Sequence, residues 1–79
     1  MQKKQPLPDY ETDQITELIR QHIHNEVDRV MLDYRLNYGY TFSKITKLIY
    51  MRFDVLYEEK TVRTRIHKGE EILFKHIPG

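Results

Sequence analysis

The chain has 79 residues, 39% apolar and 32% charged, with a formal net charge of +1 and no cysteine. That length makes one small domain with a modest core, and the composition is that of a globular chain. It excludes disulfides, thiol nucleophiles and cysteine-based zinc sites, a polybasic character, and a transmembrane helix, since no run of 18 apolar residues occurs. Any anion binding must therefore come from local clustering of charge. A reducing, cytoplasmic setting is the expectation that fits a cysteine-free chain.

Residues 1–11, with Pro6 and Pro8, read as a flexible N-terminal arm, and residues 12–79 as the folded domain. From Thr12 to Tyr38 the apolar residues Ile15, Leu18, Ile19, Ile23, Val27, Val30, Met31, Tyr34 and Tyr38 recur every three or four positions, a helical period. Thr12 or Asp13 suits the N-cap. Leu32 and Leu36 fall on another face, so the second half must be covered on two sides. A break at "HNEVD" accommodates this change of face. Asn25 would cap a second helix with Asp28 in its first turn, which divides the stretch into helices at 13–23 and 26–38.

Gly39 suits the left-handed residue that closes a helix. Thr41 then caps "FSKITKLIYM", with Ile45, Leu48 and Ile49 inward. So short a link forces a sharp corner, the first requirement of a helix-turn-helix unit. Residues 52–57, "RFDVLY", suit a helical extension, a short strand or a packed turn.

The stretch "EKTVRTRIHKGEEIL", Glu59 to Leu73, carries two periods at once. Alternation of Val62, Thr64 and Ile66 with Arg63, Arg65 and His67 suits a strand turning at Lys68-Gly69. Val62, Ile66, Gly69 and Leu73 step by four, three and four, as one face of a helix does. The helix, at about 58–74, accounts for more residues. Glu58 and Glu59 favour its N-terminus, Glu71 and Lys75 are paired at i,i+4, and Pro78-Gly79 stop it. The expected fold is thus all-α: a small helix-turn-helix domain of three to four helices, with an enlarged turn before the last.

With Val62, Ile66, Gly69 and Leu73 inward, the opposite face carries Lys60, Thr64, His67, Lys68 and Glu71, with Arg63 and Arg65 on the flanks. A major groove admits such a helix and presents base edges to it. Lys60, Arg63, Thr64 and His67 are the candidates for base contact. Thr41, Lys44, Lys47, Arg65 and Lys68 are the candidates for phosphate contact. A face of Lys, Thr and His is, taken alone, most often a solvated helix surface.

Two segments together resemble a known family. "VMLDYRLNYGYTFSKI" (30–45), followed by "KTVRTRIHKGEEIL" (60–73), resembles the C-terminal, region 4-like DNA-binding part of sigma factors. It also resembles LuxR-type regulators and small phage or mobile-element regulators built on the same helix-turn-helix. The positions that carry the resemblance are Met31, Leu32, Arg35, Leu36, Gly39, Thr41, Phe42 and Ile45, then Thr61, Val62, Arg63, Arg65, Ile66, His67, Lys68 and Gly69. The resemblance implies sequence-specific binding of double-stranded DNA and transcriptional regulation. One departure is the spacing from Ile45 to Thr61, which is enlarged here and bears on how the last helix is aimed.

A homodimer is expected, because one recognition helix buries little surface, and Leu18, Leu32 and Leu36 would supply its seam. The alternative is a protein-binding module engaging RNA polymerase, a sigma factor or another host enzyme, with the aromatics of 50–57 as the contact surface. His22 and His24 are two apart, with no third ligand evident, so no metal is expected. Tyr34, Tyr38, Tyr40 and Phe42 read as packing for the Gly39 corner. Ser43 is the one serine, and neither a Gly-rich phosphate loop nor a nucleophile motif occurs. No enzyme activity, no cofactor and no membrane partner are expected.

Overall fold

The computed structural model describes residues 12–76, and the expected N-terminal arm and the Pro78-Gly79 stop lie outside them. Among the described residues there are four helices and no strand: α1 (Thr12–His22), α2 (Glu26–Leu36), α3 (Phe42–Phe53) and α4 (Glu59–Phe74). The chain is an all-α domain of helix-turn-helix kind, and the helical period wins over the alternating one in 59–73.

The break between α1 and α2 falls where the sequence places it. Asn25 is the N-cap of α2, and its side chain accepts the Asp28 N–H at 3.1 Å. A second device seals the same corner from the other side. The Arg29 guanidinium reaches back to donate to the carbonyls of Ile23 and Arg20, the latter at 2.8 Å. A helix C-terminus leaves carbonyls without partners and carries partial negative charge, so a cation there is favourable on both counts. Arg29→Ala is expected to lower stability by about 1–2 kcal/mol. Amide exchange should accelerate at the end of α1 before it does in α4. Thr12 is already helical, so neither Thr12 nor Asp13 is the cap that the sequence suggested, and the residue before it lies outside the described part.

α2 ends two residues short of expectation, at Leu36, where Asn37 and Tyr38 turn the chain. Gly39 follows at φ 68, a left-handed conformation that costs glycine nothing. The N–H groups of Gly39 and Tyr40 return to the carbonyls of Arg35 and Tyr34, both at 3.1 Å. Arg35 also donates to the Tyr40 carbonyl at 2.8 Å. Tyr34, Tyr38 and Tyr40 form a ring cluster with centroids 5.3–6.3 Å apart around this corner. Thr41 caps α3, accepting the Lys44 N–H at 3.1 Å.

The undecided stretch 52–57 divides. Arg52 and Phe53 finish α3, and Asp54 terminates it in a left-handed conformation, φ 57. Residues 54–58 form an irregular link to α4. The enlarged spacing is therefore absorbed partly as helix and partly as turn.

α2 is the central element. It packs against α1, α3 and α4, while α1 and α3 do not meet. This is why its apolar residues occupy two faces. Met31, Leu32 and Leu36 are all buried with Ile15, Ile19, Ile45, Ile49, Val62, Ile66 and Leu73. The expected dimer seam is corrected here. Leu32 and Leu36 belong to the internal core, and Leu18 is partly buried against it.

Candidate nucleic-acid interface

The orientation of α4 decides the candidate site. Val62, Ile66, Gly69 and Leu73 are all buried, so the face they define is fixed against the core. Gly69 is a point of close approach to Leu32 of α2. A Cβ built there would lie 2.6 Å from Leu32 Cδ1, so any side chain at this position obliges the end of Leu32 to shift.

With that face inward, Lys60, Arg63, Thr64, His67, Lys68 and Glu71 are exposed. Five of these six, all but Lys60, line one shallow groove along the helix, of about 400 Å³. Thr64 spends its hydroxyl proton on the Lys60 carbonyl at 3.0 Å. Its oxygen then faces outward as an acceptor, suited to an exocyclic base amine.

α3 meets α4 through Phe42, the first residue of α3. The Phe42 ring lies 5.8 Å from the His67 ring, and the Arg63 guanidinium stands 5.9 Å from its centroid. Arg35 sits over the same ring at 4.2 Å. The N-terminus of α3 is thereby brought beside the Arg63–His67 flank of α4. Thr41 lies there with its oxygen engaged by the Lys44 amide, and its hydroxyl proton is available to an anion. Lys44 is exposed, with its ammonium 4.1 Å from the Tyr40 ring centroid. Lys47 is exposed farther along α3.

Arg65 stands apart from the other candidates. It points back to α2, where its Nε donates to Asp28 Oδ1 at 2.7 Å, and its guanidinium lies 4.9 Å from the Tyr57 ring centroid. The hydrogen bond to Asp28 raises its pKa above the ordinary arginine value. A raised folded pKa means that the contribution is fully present below the unfolded value and is lost only as pH rises past it. The arginine half of this pair therefore confers no pH dependence near neutrality. A double-mutant cycle of Asp28→Asn and Arg65→Ala should give a coupling of about 1 kcal/mol, since both side chains are roughly a quarter exposed. Zero coupling in thermal or urea melts contradicts a structural role for Arg65.

Among the described residues no group of three or more potential ligands could hold a metal ion. His22 closes α1 and stacks face to face on His76, with ring centroids 3.7 Å apart. Three arrangements escaped the sequence reading: this stack, the Arg65–Asp28 pair and the Arg29 seal. Each joins residues across a corner or between helices, which local periodicity does not encode.

Compared with known protein families, curated proteins and solved structures, the chain matches none.

Proposed function

We propose that this domain is a sequence-specific DNA-binding regulator of transcription that reads the major groove with α4. What supports the reading is the single exposed face of α4, carrying Lys60, Arg63, Thr64, His67 and Lys68, with the capped N-terminus of α3 on its flank. The resemblance to sigma-factor region 4 and LuxR-type domains, and through it to phage or mobile-element regulators, belongs to this proposal. So do a cytoplasmic setting and a homodimer placing two recognition helices on two half-sites.

In this reading Lys60, Arg63, Thr64 and His67 meet base edges, while Thr41, Lys44, Lys47 and Lys68 meet phosphates. Arg65 keeps the helix in place from behind. The roles separate experimentally, because base edges carry sequence information and phosphates carry charge. Lys44→Ala and Lys68→Ala should each lower the magnitude of the slope of log K against log salt by about 0.9. Thr64→Ala and His67→Ala should leave that slope unaltered and relax preference at one base position by roughly 1–3 kcal/mol. Equal behaviour of the two pairs, read by fluorescence anisotropy on a fixed duplex, contradicts the assignment.

A second reading rests on a different surface. Tyr50, Met51, Val55 and Leu56 are exposed at the end of α3 and in the link, Met51 at 78% and Leu56 at 76%. Phe53 and Tyr57, which the sequence grouped with them, instead pack against the core. A protein-binding module engaging RNA polymerase, a sigma factor or another host enzyme would use this patch. Met51→Lys and Leu56→Lys would then abolish function while Thr64→Ala leaves it intact.

A further inference from the structure

On the other flank of α4, opposite Phe42, lies a recess of about 370 Å³ under the α1–α2 corner. His22, His24, Asn25, Asp28, Arg65 and Lys68 form its polar part, and Ile23, Gly69 and Ile72 its apolar floor. We propose that this recess is a phosphate site. Within the DNA reading, on which the source of the phosphate rests, it takes the backbone strand opposite the one held by Thr41 and Lys44.

The chemistry of the lining is one-sided. Asp28 is the sole carboxylate in it, and it is already committed to Arg65 at 2.7 Å. Asn25 uses its oxygen to cap Asp28 N–H, which leaves its amide N–H₂ as the remaining hydrogen-bonding group. The stack on His76 fixes the plane of the His22 ring and leaves its nitrogens at the ring edge. His24 is exposed in the link between α1 and α2, and Lys68 is exposed on α4. The Lys68 ammonium and the Asn25 amide are donors, each imidazole can present one N–H, and the one acid is neutralised, so the polar part of the recess suits an acceptor-rich anion. Phosphate oxygens meet that description.

Position supplies the second half of the argument. Lys68 lines both this recess and the outward groove of α4. The recess thus adjoins the candidate reading face at Lys68. The N-terminus of α3 borders α4 on the Arg63–His67 side, and the recess borders it on the Arg65–Lys68 side. A helix about 10–12 Å across fills a major groove about 12 Å wide. Elements on its two flanks then face the two backbones that bound the groove.

Two measurements on the wild-type chain and two surface variants test this. Amide NMR spectra are recorded with inorganic phosphate added against chloride of equal ionic strength. Saturable shifts concentrated at His24, Asn25 and Lys68 are expected. In parallel, duplex affinity is measured for wild type, His24→Ala and Lys68→Ala, each verified as folded from the same spectra. His24→Ala should weaken binding about two- to tenfold, and neither variant should change the selected sequence. A loss with His24→Ala assigns the recess to the DNA backbone, since Lys68 also lines the outward groove. Phosphate shifts with no duplex binding by wild type overturn the DNA reading and keep the recess as a site for free phosphate. Absent shifts with unimpaired duplex binding by His24→Ala overturn the site, while a motif still selected by wild type leaves the DNA reading standing.

Discussion

Gly69→Leu should lower the melting temperature by about 10–20 °C, from a loss of about 2–3 kcal/mol in a domain of this size. The cause is steric. The position faces Leu32, which is fully buried in the centre of the core, and even a bare Cβ would lie 2.6 Å from its Cδ1. A leucine must push α4 off α2 or expel Leu32 from its place. Gly69→Ala is the finer probe, since two effects of similar size oppose each other. Alanine favours a helix over glycine by about 1 kcal/mol, whereas its Cβ crowds the end of the buried Leu32 side chain. Alanine should therefore be neutral or mildly destabilising in wild type. In a Leu32→Ala background, where the crowding atoms are gone, the same change should stabilise. Equal effects in both backgrounds would mean that Gly69 and Leu32 are not in contact.

Asn37→Asp should cost about 2–4 kcal/mol despite the near-identical shape of the two side chains. Asn37 is 1% exposed, the one buried polar residue among the described positions. Its amide nitrogen donates to Asp33 Oδ1 at 2.6 Å and Thr16 Oγ1 at 3.2 Å, tying the end of α2 to α1, while its Oδ1 has no hydrogen-bond partner. The substitution replaces the donor by an acceptor and sets a second carboxylate against the first. A carboxylic acid in that place ionises less readily folded than unfolded, so the native state binds more protons. The sign follows: the stability of the variant falls as pH rises, and its deficit relative to wild type shrinks on acidification. Asn37→Leu, which adds no charge but gives up both donated hydrogen bonds, should cost about 1–3 kcal/mol without the fall in stability as pH rises. A pH-independent loss common to both variants contradicts the electrostatic cause.

The parts of the fold legible in the sequence are those fixed by local chemistry. Asn25 and Thr41 are short polar residues directly before an apolar period, and both cap helices. Gly39 marks a left-handed position that other residues enter only with strain. The four-three-four step of Val62, Ile66, Gly69 and Leu73 outweighed the competing alternation because it accounted for the glycine as well. Leu32 and Leu36 were legible as a second face, but not as what covers it. A core seam and a dimer seam have the same pattern, and only the packing of α2 against three helices separates them. Asp54 was illegible because a left-handed aspartate ending α3 leaves no distinctive residue type in "RFDVLY".

The candidate face of α4 was legible once its inward face was known, because the two are complementary. Arg65 was not. Its distance from the inward stripe suited a phosphate contact, but its partner Asp28 lies 37 residues away in the chain. A flanking arginine serves either DNA or a neighbouring helix according to what stands beside it. His24 was weighed only as a metal ligand, since its nearness to Lys68 depends on the α1–α2 corner meeting α4.

The most direct test of α4 as a DNA-reading helix is selection from a random-sequence duplex library followed by sequencing, at about 100 mM salt, where non-specific charge attraction is weakened. The purified wild-type chain should enrich a defined motif. Thr64→Ala and His67→Ala should each loosen it at one position, while Lys44→Ala should recover the same motif in lower yield. Failure of the folded chain to enrich any motif contradicts the DNA-reading function and leaves the exposed patch around Met51 and Leu56 as the surface to pursue.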